Sequence, residues 1–183
     1  MFITIVPQVQ ISAGGTVKGS DLGKIKAGGD NIGLRVYDPG YVNTAAVISK
    51  ICFIDGDLGI LRYRGYPIEQ IAERASFLET AYCLLYGDLP TRNQLTSWSG
   101  AVTRTSVLPL DITRCIEALP AQAHPMGVLM AGISALGTLY PEQNPAIAGE
   151  HVYKDMRVQD AQIVRLLGQV PSIAALAYHR CDY

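Results

Sequence analysis

Charge is scarce in this chain. Aspartate, glutamate, lysine and arginine make up 17 % of the 183 residues, against 49 % apolar. That balance is the reverse of a disordered chain's. It implies either a large buried interior or an apolar surface meant for a partner. The few charges are also even in sign, 15 basic against 16 acidic for a net −1, and no basic stripe gathers them. The counterion release behind nucleic-acid binding therefore has no source. No apolar run approaches the roughly 20 residues of a membrane-spanning helix. The opening MFITIVPQVQ lacks the basic start, long apolar stretch and small-residue cleavage site of a secretory signal. The closing Cys181-Asp182-Tyr183 is no SKL-type address.

Paired cysteines are missing too. Cys52, Cys83, Cys115 and Cys181 stand far apart with no CxxC among them, so neither a zinc site nor a dense disulfide framework is expected. They are read as buried, reduced thiols, with Cys181 a candidate for exposure. Of the three histidines, His124 precedes Pro125, where a ring nitrogen can cap a helix or meet a partner; His151 and His179 share no ligand spacing. Asp55-Gly56-Asp57 lacks the remaining ligands of a calcium loop and reads as a turn. Gly28, Gly29 and Gly33 form no GxGxxG cradle, and Ser97 and Ser99 sit in no GxSxG elbow. No catalytic or metal-binding set emerges from spacing.

What is present is mostly helical. Residues 1–66 read as short strands and loops. Ser49–Ile54 is apolar and β-branched, Asp55-Gly56-Asp57 turns, and Gly59–Tyr63 returns, a small hairpin. From 67 to 178 the signals change. Pro67 suits a first helical position ahead of Ile68, Ile71 and Ala72. Ser76 with Glu79, and Thr91 with Gln94, fit capping boxes, the first helix closing at Gly87. Asp111 is expected to cap a helix carrying Ile112, Cys115, Ile116 and Leu119 as far as Pro120.

Two longer helices follow, joined by a loop over 140–149. Pro125 to Leu139 is apolar nearly all round and holds Gly127, Ala131, Gly132, Ala135 and Gly137. Each glycine costs about 1 kcal/mol against alanine inside a helix, so a packing gain must offset it. The second helix, Arg157 to Tyr178, contains Pro171, expected to bend it, and an apolar end from Ile173 to Ala177. Together they read as an interface, with Gly127, Ala131, Gly132, Ala135, Ile173 and Ala174 its expected residues. Arg62 and Arg64 alternate on an extended run, so both guanidiniums would share a face. They would either grip an anion or, the favoured reading, pair with acids and stack on tyrosines.

IDGDLGILRYRGYPI at 54–68 closely resembles a stretch characteristic of citrate synthases. FLETAYCLLYGDLP at 77–90, AHPMGVL at 123–129 and IVRLLGQVPSIAALAY at 163–178 continue the resemblance in order; YDPGYVNTA at 37–45 and QVQISAGGTVKGSDLGKI at 8–25 precede it. The likeness is greatest to the plant glyoxysomal or peroxisomal branch. It implies a mainly α fold, the amino-terminal part of a large helical domain with a few short strands in front.

It further implies condensation of acetyl-CoA with oxaloacetate to citrate and CoA by a homodimer, without metal or redox cofactor. In the family an aspartate and two histidines act on the substrates while arginines hold the oxaloacetate carboxylates. By the same resemblance those residues lie in segments beyond this chain, as does the small domain. His124 matches the family's HPM motif, which is not the catalytic pair. Lys154 and Arg157 fall near a region that in some relatives turns a cation toward the CoA phosphate. Residues 179–183 diverge, and a truncated gene model, an alternative transcript or a frameshift would each produce such a tail. The resemblance implies a peroxisomal or glyoxysomal location, with cytoplasm or mitochondrion as alternatives. The isolated chain is expected to be inactive, marginally soluble and self-associating. The competing reading is a non-catalytic protein that pairs with full-length subunits through the long helices; a third makes Arg62 and Arg64 an independent anion-binding module.

Overall fold

The computed structural model describes residues 11, 12, 14–25 and 33–182, the side chains of 181 and 182 excepted. The glycines at 28 and 29, the opening decapeptide and the Cys181 thiol, all considered above, lie outside the described residues. The chain divides into two compact units, residues 1–50 and 51–183.

In the first unit a bridge between Ile11 and Val17 encloses Gly15 at φ +71°, followed by the short helix α1 (Gly19–Leu22). Beyond it the Asp38 carboxylate gathers a loop: it accepts from Val42 N at 3.1 Å, Asn43 N at 3.0 Å and Thr44 Oγ1 at 2.5 Å. These bonds, Thr44's foremost, hold the Asp38 carboxyl below its ordinary range.

The second unit opens with a three-stranded antiparallel sheet in the order β1 (Cys52–Asp55), β2 (Ile60–Tyr63), β3 (Tyr66–Pro67). The hairpin read from sequence is β1–β2. Asp55 Oδ1 accepts from Leu58 N at 2.9 Å to close its turn. Cys52 is exposed, unlike the buried Cys83, because β1 packs little of its surface. The third strand went unread because only two residues, Arg64 and Gly65, separate it from β2. Both have positive φ, +51° and +95°, as a primed hairpin turn requires.

Seven helices and two 3-10 turns follow. They are α2 (Ile68–Arg74), α3 (Phe77–Tyr86), α4 (Arg92–Arg104), α5 (Leu110–Glu117), α6 (Pro125–Thr138), a 3-10 turn (Pro141–Gln143), α7 (Pro145–Ala148), a second 3-10 turn (Glu150–Tyr153) and α8 (Met156–Asp182). Both expected capping boxes form, Ser76 with Glu79 on α3 and Thr91 with Gln94 on α4, and Gly87 closes α3 at φ +98°. His124 Nδ1 accepts from Met126 N at 3.2 Å and so caps α6.

Three expectations need correction. Pro67 precedes α2 instead of opening it, because it pairs with Arg62 in the sheet. α5 begins at Leu110 behind Pro109, so Asp111 sits in the first turn and faces the helix dipole without capping. The stretch 140–149 is not plain loop but holds a 3-10 turn and α7. Helix α8 continues through Pro171 and the divergent tail to Asp182.

The core lies where three helices meet. Ile112 and Ile116 of α5, Val128 and Leu136 of α6, and Ile173 and Ala177 of α8 are buried together. Each pair lies four or eight residues apart, the row that brings one helix ridge against another. No helix among the described residues is long and apolar enough to cross a membrane.

Glycine spacing sets how closely α4 and α8 approach. A Cβ added at Gly168 would lie 2.5 Å from the Val102 carbonyl oxygen, which is backbone and cannot swing away. A Cβ at Gly137 meets nothing within 4 Å. Gly168→Ala is therefore expected to lower unfolding free energy by about 1–3 kcal/mol, and Gly137→Ala to raise it by up to about 1 kcal/mol. Urea titration of both variants checks the pair; a stable Gly168→Ala chain would refute the close packing.

Tyr66 donates its hydroxyl hydrogen to the Asp88 carboxylate. That bond is the main cause raising the Tyr66 pKa above its ordinary value and lowering that of Asp88. The raised group loses its contribution as pH climbs past the tyrosine range; the lowered one loses it as pH falls below the carboxylate range. The bond thus stabilises between about pH 4 and pH 10. Tyr66→Phe should reduce the melting temperature at neutral pH and leave it unchanged at pH 2. An equal loss at both pH values would count against the bond.

Candidate functional site

Two features near α6 can meet another molecule. The first is its outer face. Met126, Gly127, Met130, Ser134 and Gly137 are exposed, and at 100° per residue they fall on the side opposite Val128, Gly132 and Leu136. Met126 and Met130 are 54 % and 66 % exposed. The glycines of α6 divide in the same way. A Cβ on Gly132 would lie 2.8 Å from Ile173 Cγ2 and 3.1 Å from Ile116 Cδ1, so its small size is demanded inside the chain. Gly127 and Gly137 have nothing within 4 Å. Among the described residues no contact at these positions offsets their cost to the helix.

The six residues read from sequence as an interface are therefore distributed. Gly132 and Ile173 face each other in the core, Ile173 being fully buried. Ala131 and Ala135 are half-buried, and Gly127 and Ala174 are exposed.

The second feature is a cavity of about 420 Å³ where the chain leaves α6 and turns back into α8. Ile133, Leu136, Val152 and Leu166 form its apolar walls; Gln143, Gln159, Gln162 and Arg165 are the polar ones. Its size and mixed lining suit a small ligand. The Arg165 guanidinium carbon sits 3.4 Å from the Tyr140 ring centroid, and its Nη1 donates to Gln143 Oε1 at 3.0 Å. Gln162 Nε2 donates to the Gln143 carbonyl at 3.2 Å, and Gln159 Nε2 to the Tyr153 carbonyl. The polar wall thus fastens the 140–153 segment to α8. Sequence reading missed this arrangement, since Tyr140 and Arg165 lie on different elements and share no local period.

Lys154 and Arg157 are both exposed and neither lines the cavity. Between them Asp155 caps α8, accepting from Arg157 N at 2.9 Å, and its carboxylate lies 3.9 Å from Arg157 Nε. The aspartate ahead of an apolar-periodic run was the available signal for that cap.

Arg62 and Arg64 do not lie on one extended run, because β2 ends at Tyr63. Arg62 is exposed on β2, whereas Arg64 occupies the turn and donates from Nε at 3.1 Å and Nη2 at 2.6 Å to the Leu84 carbonyl near the end of α3. Neither the anion grip nor the acid-and-tyrosine pairing describes Arg64. Arg64 has φ +51°, and its guanidinium reaches the last turn of α3. Among the described residues no group of three His, Cys, Asp or Glu side chains can hold a metal.

Residues 40–182 match the family model described as citrate synthase, C-terminal domain. The glyoxysomal citrate synthase of Cucurbita maxima is 52 % identical over 173 residues, which cover 94 % of this chain and 34 % of that protein. Citrate synthase 1, peroxisomal, of Arabidopsis thaliana is 51 % identical over 94 % of this chain and 36 % of its own length. The citrate synthase structure from Pyrobaculum aerophilum superposes with a TM-score of 0.69 at 29 % identity, over 80 % of this chain and 38 % of the other. The chain therefore spans about a third of the length of the relatives it matches.

The Arg165 tie is open to measurement. Arg165→Ala removes both the stack and the bond to Gln143 and should lower unfolding free energy by about 1–2 kcal/mol. Arg165→Lys keeps the charge but not the planar fork, and should recover less than half of that loss. Equal urea midpoints for all three proteins would show the tie to be idle.

Proposed function

Because the chain belongs to the citrate synthase family, we propose that it works within an enzyme that joins acetyl-CoA to oxaloacetate and releases citrate and CoA. The observation that carries this reading is 52 % identity sustained over 94 % of the chain. In that reaction the acetyl methyl group gives up a proton and its carbon attacks the oxaloacetate ketone. Water then cleaves the citryl thioester. Acid–base side chains suffice, with no metal or redox cofactor.

This chain's share is the helical frame. Its three histidines stand on separate elements, and His124 spends Nδ1 on the α6 cap. None is assigned to the catalytic pair, and the isolated chain does not turn over. Lys154 and Arg157 serve as exposed cations toward the CoA phosphate. The outer face of α6, with Met126, Gly127, Met130 and Gly137, meets the same face of a second subunit, and Ala174 of α8 belongs to the same contact. The named relatives support a glyoxysomal or peroxisomal location. The second reading, a non-catalytic chain pairing with full-length subunits, draws on the exposed methionines and unfilled glycines of that face.

Purified chain given acetyl-CoA and oxaloacetate should release no thiol above background. Citrate formed by this polypeptide, free of contaminating enzyme, would overturn the assignment of the chemistry to other segments.

Light scattering tests the α6 face. The wild-type chain is expected to self-associate, and Met130→Lys, which places a charge on the exposed face, to shift it toward monomer. A monodisperse wild-type monomer would remove the pairing face.

A further inference from the structure

No further inference is drawn: the strongest candidate, the cavity between the end of α6 and the first half of α8 beside Arg165 and Tyr140, has polar walls that already bond to one another, and nothing in the structure shows what fills it.

Discussion

The second unit depends on one close approach, the contact of Gly132 with Ile173 and Ile116. Three helices that meet through i, i+4 rows need a narrow point where a side chain from one can enter the surface of another. Gly132 supplies it for α6. The Ile173 and Ile116 side chains take the space a Cβ would occupy, and both are fully buried. Gly168 does the same where α8 crosses the end of α4, and there the neighbouring atoms include backbone. Two glycines on two helices thus fix the spacing of four, and the buried apolar set follows from that spacing.

A chain so lean in charge still needs polar fasteners, and it draws them from the backbone. Arg64 donates to the Leu84 carbonyl near the end of α3, and Arg180 to the Glu117 carbonyl at the end of α5. Ser172 donates to the Ser106 carbonyl, and Thr105 Oγ1 lies within bonding distance of the Val164 and Val102 carbonyls. The two guanidiniums meet helix C-termini, where unpaired carbonyls and the dipole both favour a cation. Among the described residues only two ion pairs form, each between residues close in sequence. Directional bonds to carbonyls therefore join the elements, which explains how so small a share of charged residues accompanies an ordered fold.

Much of this was legible because it is local. A capping box spans four residues, and Ser76–Glu79 and Thr91–Gln94 announce themselves in the sequence. The periodic apolar row of α5, with Ile112 and Ile116, also marked its buried face. What was not legible depends on partners distant in sequence. Nothing near Arg64 says that Leu84 accepts its hydrogen bonds, and nothing near Tyr140 points to Arg165. The six expected interface residues divide between core and surface for the same reason. Smallness in a helix signals a close approach, but the sequence does not say whether the approaching atoms belong to the same chain.

The structure divides that ambiguity between positions. Gly132 is small because Ile173 is there; at Gly127 and Gly137 no described residue lies within 4 Å of where a Cβ would stand. Retaining such residues in a helix costs stability that no described contact returns, and Met126 and Met130 beside them remove apolar surface from nothing while exposed. Methionine adapts its shape to an apposed surface, and a bare glycine backbone lets another helix come near. A face combining both features gains free energy only when covered. The physical argument for association thus rests on unfilled space next to α6 and holds independently of which reaction the complete assembly performs.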